Sequence, residues 1–204
     1  MSHREQADRA LARKALRIEL RRRRRALSPA ERSRAAERVA REIEARFHLH
    51  PGQNVALYNP LPGELDVAPL AATARRHGCT LYVPRITHTR HHRMRFVRLE
   101  GPLRVNRLGI LEPRPVSALA ARWLDLVFVP LVGFDARGMR LGMGAGYYDR
   151  AFAYLHLRRT WRRPRLIGIA FSVQRVDAIE PAPHDVHLDA IVTEEGVLEC
   201  RTGY

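Results

Sequence analysis

A chain of 204 residues has room for one core of ordinary size and little more. Its formal charge of +15 comes from 36 basic against 21 acidic residues, and its two cysteines, Cys79 and Cys200, stand far apart in no disulfide or metal-like spacing. No stretch has the length of a membrane span, no apolar signal core stands near residue 1, and Glu5, Asp8 and Glu19 interrupt a basic segment that a transit peptide would keep free of acids; the expectation is one soluble, cytoplasmic domain over 1–204, with no membrane partner.

In chain order, Arg4 to Ala26 reads as a basic helix, with Ala10, Lys14, Arg17 and Arg21 at three- and four-residue steps and Leu11, Leu16 and Leu20 nearby. "SPAE" (28–31) then supplies Ser28 as N-cap, Pro29 at the first helical position and Glu31 to close a capping box, which predicts a second helix to Phe47. Residues 1–47 are thus an N-terminal helical hairpin. Over residues 1–46 there are 15 basic and 7 acidic residues, a net +8, which makes this segment either an anion-binding face or a solvated one.

The pattern changes at "NVALY" (54–58), a strand, followed by a turn and a helix from Asp66 as cap to Gly78 as stop, then by the strand "CTLYVP" (79–84). That order is a βαβ unit and implies a parallel pair. Further strands are predicted at 94–99, 124–130, 165–171 and 188–193, with helices at 115–122 and 147–158. The fold class is α/β: a three-layer α/β/α sandwich with a mostly parallel, Rossmann-like sheet of about six strands over 54–193, carrying the N-terminal hairpin.

Open parallel sheets bind ligands beyond the carboxyl ends of their strands, so the segments after strands are where chemistry is expected. "GFDARGMRLGMGAGYYDR" (133–150) is the most distinctive of them. Gly142, Gly144 and Gly146 strip alternate residues of side chains, so the backbone can approach a phosphate and aim N–H groups at it, with the start of the following helix adding positive potential and Arg140 a full charge. The same glycines would also serve a tight turn packed on the sheet. The loop is neither a Gly-Lys-Ser/Thr phosphate loop nor a dinucleotide fingerprint. Asp149 and Asp185 are helix-capping acids or, brought to one cleft, magnesium ligands beside phosphate oxygens. Glu64 either caps a helix or accepts hydrogen bonds from a substrate N–H. "HTRHH" (88–92) reads as a solvated connector, and no Ser-His-Asp arrangement or nucleophile elbow is present.

Together these segments resemble the 5-formyltetrahydrofolate cyclo-ligase family over essentially the whole chain: "KALRIELRRRRRALSPAER", "LPGELD", "YVPRI", "NRLGILEP", "FVPLVGFDARGMRLGMGAGYYDR", "LIGIAFSVQ" and "HDVHLDAIVTEEG" occur in family order. The resemblance implies a reaction in which ATP and 5-formyltetrahydrofolate give 5,10-methenyltetrahydrofolate, ADP and phosphate, with magnesium. It implies ATP binding by Arg13, Lys14, Arg17 and the loop Arg140, Leu141, Gly142, Met143, Gly144, Ala145, Gly146, Tyr147 and Tyr148. Arg13 aligns with the family lysine, while the chain's one lysine, Lys14, stands a place later, so either is a candidate for that role.

For the folate substrate the resemblance implies contacts from Tyr58, Asn59 and Glu64, with Met143 to Tyr147 bordering it; for catalysis Arg140, Tyr147 and Asp149; and for magnesium Asp149 and Asp185. The expectation is a monomer whose partners are these small molecules and not nucleic acid, since no aromatic stacking motif accompanies the basic residues. The competing readings are a basic nucleic-acid-binding protein, motivated by the charge, and an inactive folate or nucleotide binder.

Overall fold

The computed structural model describes residues 3–100, 103–105, 111–113, 118–157 and 163–200. The two N-terminal helices form as expected: α1 spans His3–Ala26 and α2 spans Pro29–Arg46. The Ser28 hydroxyl accepts from the Glu31 N–H, and the Glu31 carboxylate accepts from the Ser28 N–H at 2.7 Å, which is the reciprocal capping box. Past this turn the helices go to different cores. α2 lays Ala36, Val39, Ala40 and Ile43 against the sheet and α3 (Ala68–Arg76). α1 instead buries Leu20 with Val132, Met139, Leu141 and Ile179, beyond the sheet's carboxyl ends.

Eight strands make the main sheet, in spatial order β12-β11-β10-β7-β1-β2-β3-β6. The five inner ones are parallel: β11 (Ala190–Thr193), β10 (Arg165–Ile169), β7 (Leu126–Pro130), β1 (Asn54–Ala56) and β2 (Thr80–His88). β12 (Gly196–Glu199) joins β11 antiparallel, and on the other side β3 (Arg93–Arg98) and β6 (Ala118–Leu119) continue antiparallel from β2. Strand alternation sorts the core into two layers. Val55, Leu81, Phe128 and Ile167 face α2 and α3, while Ala56, Tyr82, Val127 and Leu166 face Phe152 and Leu155.

All six expected strands lie in this sheet, and two short edge strands, β6 and β12, extend it. The expected helix at 115–122 is overturned where it is described: Ala118–Leu119 pairs with Phe96 and Val97, and Ala121–Trp123 is a single 3-10 turn. Alanine-rich helix propensity loses here to the open edge of β3, which offers unpaired backbone groups. Residues 115–117 lie outside the described residues. The expected helix at 147–158 is α4, Tyr147–Ala151, followed by a 3-10 segment, Ala153–Leu157. Aromatic residues are mediocre helix formers, and the chain tightens to sink Phe152 fully into the core; residue 158 lies outside the described residues.

Small antiparallel pairs complete the fold: β4 (Leu103–Val105) with β5 (Leu111–Pro113), and β8 (Gly133–Phe134) with β9 (Arg140–Leu141). Of "NRLGILEP", only Leu111–Pro113 is described. From β1 the chain steps through α3 to β2 and β3, then returns to β7 on the opposite side of β1 before moving outward through β10 and β11. The reversal opens a crevice above the carboxyl ends of β1 and β7.

Candidate active site

That crevice is a cavity of about 750 Å³, within the usual size range of small-molecule sites. Its walls come from the loop after β1, the far half of β2 with the start of β3, the loop after β9, the segment Ala182–Asp185, and one face of α1.

The glycine loop forms one wall. Gly144 has φ +105° and Gly146 φ +67°, left-handed conformations that a side chain would strain. Gly142 needs no such conformation, and a Cβ there would meet nothing within 4 Å, so its bareness keeps space open rather than permitting a turn. Arg17 Nε donates to the Gly142 carbonyl at 2.8 Å, which ties α1 across the loop. Burial, followed by the charges of Arg13 and Arg21, lowers the Arg17 pKa, yet a guanidinium stays charged. Among the described residues no carboxylate lies within ion-pairing distance of Arg17, although the charge of Asp185 acts on it from farther off. α4 is too short to carry much of a helix dipole, and the positive potential at this wall comes from arginines.

Two acids face the same cavity, each held by an arginine. Arg140, only 5% exposed, pairs with Asp149 Oδ1, which also accepts from the Val186 N–H at 3.1 Å. Arg13 Nη1 and Nη2 both donate to Asp185 Oδ2 at 3.0 Å, and the Ala182 N–H adds a bond of 2.9 Å. Among the described residues every side-chain hydrogen bond of Asp149 falls on Oδ1 and every one of Asp185 on Oδ2. The second oxygen of each remains a hard, anionic donor suited to a divalent cation such as magnesium. No group of three or more His, Cys, Asp and Glu is gathered among the described residues, so such a cation would complete its shell with ligand oxygens and water.

The opposite wall is drier. Pro84, Ile86 and Met94 line it, Ile86 opposite Met94 in the β2–β3 register. Glu64 sits at its border with a side chain 5% exposed, its Oε2 accepting from the Leu61 N–H at 3.0 Å. Burial pushes the Glu64 pKa up, against the pull of that N–H and of Arg24 and Arg21. Tyr58 donates its hydroxyl to the Leu65 carbonyl at 2.8 Å. The Tyr148 hydroxyl is buried with no hydrogen-bond partner among the described residues, and burial raises its pKa. Tyr147 takes the edge of His92, ring centroids 5.3 Å apart.

Residues 9–194 match the sequence profile of the 5-formyltetrahydrofolate cyclo-ligase family. The chain belongs to this family. It is 31% identical over 186 residues to the 5-formyltetrahydrofolate cyclo-ligase of Escherichia coli, covering 88% of this chain and 99% of that one. The 5,10-methenyltetrahydrofolate synthetase of Aquifex aeolicus superposes with a TM-score of 0.78 at 30% identity, covering 94% of each chain. That of Mycoplasma pneumoniae does so with a TM-score of 0.70 at 27% identity, covering 89% of this chain and 98% of that one. The mixed α/β fold with its mostly parallel sheet is therefore shared with methenyltetrahydrofolate synthetases.

In this cyclo-ligase family member the cavity gathers Arg13, Arg17, Tyr58, Asn59, Glu64, Arg140, Met143, Ala145, Tyr147, Tyr148, Asp149 and Asp185, together with the three glycines. Two of the expected residues fall elsewhere. Lys14 is exposed and off the cavity, because the inward stripe of α1 runs through Arg13, Arg17, Leu20 and Arg24, one step from the stripe through Lys14. Leu141 buries its side chain completely beside Leu20 and Val132. The apolar wall of Pro84, Ile86 and Met94 escaped sequence reading. Its signal was the alternation at 84 and 86, which needed β2 to run on to His88. His92, expected in a solvated connector, is half-buried against Tyr147.

Proposed function

We propose that this chain converts 5-formyltetrahydrofolate to 5,10-methenyltetrahydrofolate, driven by ATP and requiring magnesium. One observation carries the reading: a single cavity joins a bare glycine wall, tied to α1 through Arg17, to a dry wall with a buried carboxylate at its border. The first suits a polyphosphate, and the second a flat heterocycle with N–H donors. Family membership supports the same chemistry.

The N5-formyl group is an amide, and its oxygen is a poor leaving group when N10 attacks the formyl carbon. Transfer of the ATP γ-phosphoryl group to that oxygen converts it to phosphate. N10 then forms its bond to the carbon, the C–O bond breaks with its electron pair leaving on phosphate, and the N10 proton is released. Such a sequence calls for positioning and charge neutralisation rather than a protein nucleophile.

Arg17 and the loop Gly142–Gly146 bind and orient the phosphates; Arg140 stabilises negative charge that develops on the transferring group. Tyr147 borders the reacting groups, and Glu64 with Tyr58, Asn59, Pro84, Ile86 and Met94 holds the pterin. Asp149 and Asp185 would hold magnesium through their free oxygens, and the ion supplies charge neutralisation on the phosphates when bound. Arg13 fixes Asp185 and takes the role aligned with the family lysine, in preference to the outward-facing Lys14.

The direct test is absorbance of the methenyl product on mixing protein, 5-formyltetrahydrofolate, ATP and magnesium. Product is expected only with all four present. Turnover without ATP, or none with the full mixture, overturns the reading.

A further inference from the structure

Arg24 lies outside the cavity, yet it is 5% exposed, while Arg22, Arg23 and Arg25 beside it on α1 face solvent. A guanidinium this deeply buried requires a counter-charge. Its Nη1 stands 3.9 Å from Glu64 Oε1, both side chains being almost fully enclosed, and its Nε has no hydrogen-bond partner among the described residues. The loop carrying Glu64 is built against this cation: Gly63 turns at φ +83°, and a Cβ there would lie 3.7 Å from Arg24 Nε. Arg32 secures the end of α1 by donating to the Arg25 carbonyl at 3.0 Å.

We propose that Arg24 is a positioning residue for folate recognition, holding Glu64 as an oriented carboxylate that accepts hydrogen bonds from the N–H groups of the substrate's pterin ring. The inference rests on the folate reading of the site and assigns a residue that does not touch substrate.

The charged and titratable groups facing Glu64 are Arg24 and Arg21 from α1, Tyr58 from the end of β1 and Tyr148 from α4. The two buried phenols stay neutral, so the arginines and the Leu61 N–H are what oppose burial. Without Arg24, Glu64 takes up a proton at a higher pH. A protonated carboxyl offers a donor where the pterin also donates, so recognition fails. The sign is that of an acid needed in its ionised form: binding weakens as pH falls through the Glu64 pKa, and losing Arg24 moves that loss upward in pH.

The test compares wild type, Arg24→Met, Arg24→Lys, Glu64→Gln and the Arg24→Met, Glu64→Gln double variant, with KM for each substrate measured from about pH 6 to about pH 9. Arg24→Met is expected to raise the folate KM about tenfold at neutral pH, with kcat and the ATP KM within about twofold. Its folate KM recovers as pH rises, with the midpoint displaced upward by about 1 to 3 pH units. Arg24→Lys restores most of the affinity, and in the Glu64→Gln background Arg24→Met adds nothing further. Arg24→Gln, which keeps buried N–H groups, replaces the methionine variant if that one does not fold. An unmoved pH profile, an equal rise in the ATP KM, or additivity with Glu64→Gln overturns the positioning role. An inactive wild type overturns the folate reading and the role with it.

Discussion

At residue scale, Asp149 has one job in the structure and a second proposed for it, and its mutants pull the two apart. Its Oδ1 pairs with the buried Arg140, and its side chain lines the cavity. Asp149→Ala would strand that guanidinium and cost about 3 kcal/mol of stability, the low end for breaking a buried pair because Asp149 keeps some exposure. Asp149→Asn keeps an acceptor for Arg140 and the Val186 N–H, so it separates the two jobs. We expect the asparagine variant to melt closer to wild type than the alanine variant does, yet to need at least about tenfold more magnesium for half-maximal turnover. A magnesium titration with melting curves on both proteins checks this; an unchanged magnesium requirement in Asp149→Asn would remove the acid from the metal site.

The glycines show how residue type and residue role diverge. Their spacing in "RLGMGAGYYDR" is visible in sequence, and it identifies a backbone built for close approach. Only Gly144 and Gly146 turn left-handed, whereas Gly142 keeps space open beside the carbonyl that Arg17 grips. Backbone dihedrals answer to the packing on both sides of a loop, and no local residue pattern records them.

At the scale of elements, α1 is the arm that carries charge into the cavity. Its apolar content is thin, and its anchor is Leu20, fully buried against Val132, Met139, Leu141 and Ile179. Gly133 is kept bare for this contact, since a Cβ there would lie 2.3 Å from Leu20 Cδ1. Leu20→Ala is expected to cost about 2–4 kcal/mol. Because Arg13, Arg17 and Arg24 ride on the same helix, it should also raise the ATP KM by about fivefold, with a smaller rise in the folate KM through Arg24. Thermal melts and steady-state kinetics measure both; an unaltered ATP KM would mean that α1 holds its place without this anchor.

Helix periodicity made α1 legible as a helix, but left Arg13 and Lys14, on neighbouring stripes, as equal candidates for one role. With arginine at so many positions, several stripes look alike in charge. Which one turned inward was decided by Leu20 finding its pocket, and Arg13, Arg17 and Arg24 followed from their angles around the axis.

At the scale of the whole molecule, the net charge of +15 makes nucleic acid the first partner to consider. The structure turns part of that charge inward: Arg13, Arg17 and Arg140 line the cavity and Arg24 is buried behind it. The remaining surface charge still attracts anions from solution. Association with ATP should accordingly be steered, its rate falling about tenfold between low and high salt. Stopped-flow binding at varied ionic strength tests this, and a salt-independent rate would show that the surface arginines contribute nothing to capture.

Composition, strand and helix periodicity, the capping box at Ser28 and the glycine-tyrosine loop were enough to determine the α/β class, the six inner strands and the family, because these signals are local and repeat at short spacing. The tertiary structure alone decided that β7 returns beside β1, so that loops more than 70 residues apart in sequence, such as those carrying Glu64 and Asp149, line one cavity. It alone decided that Arg24 stands beside Glu64 and that Lys14 is exposed, off the cavity lining. Such choices depend on long-range burial and charge pairing, where the free energy belongs to two distant residues together and to neither one's neighbourhood in the chain.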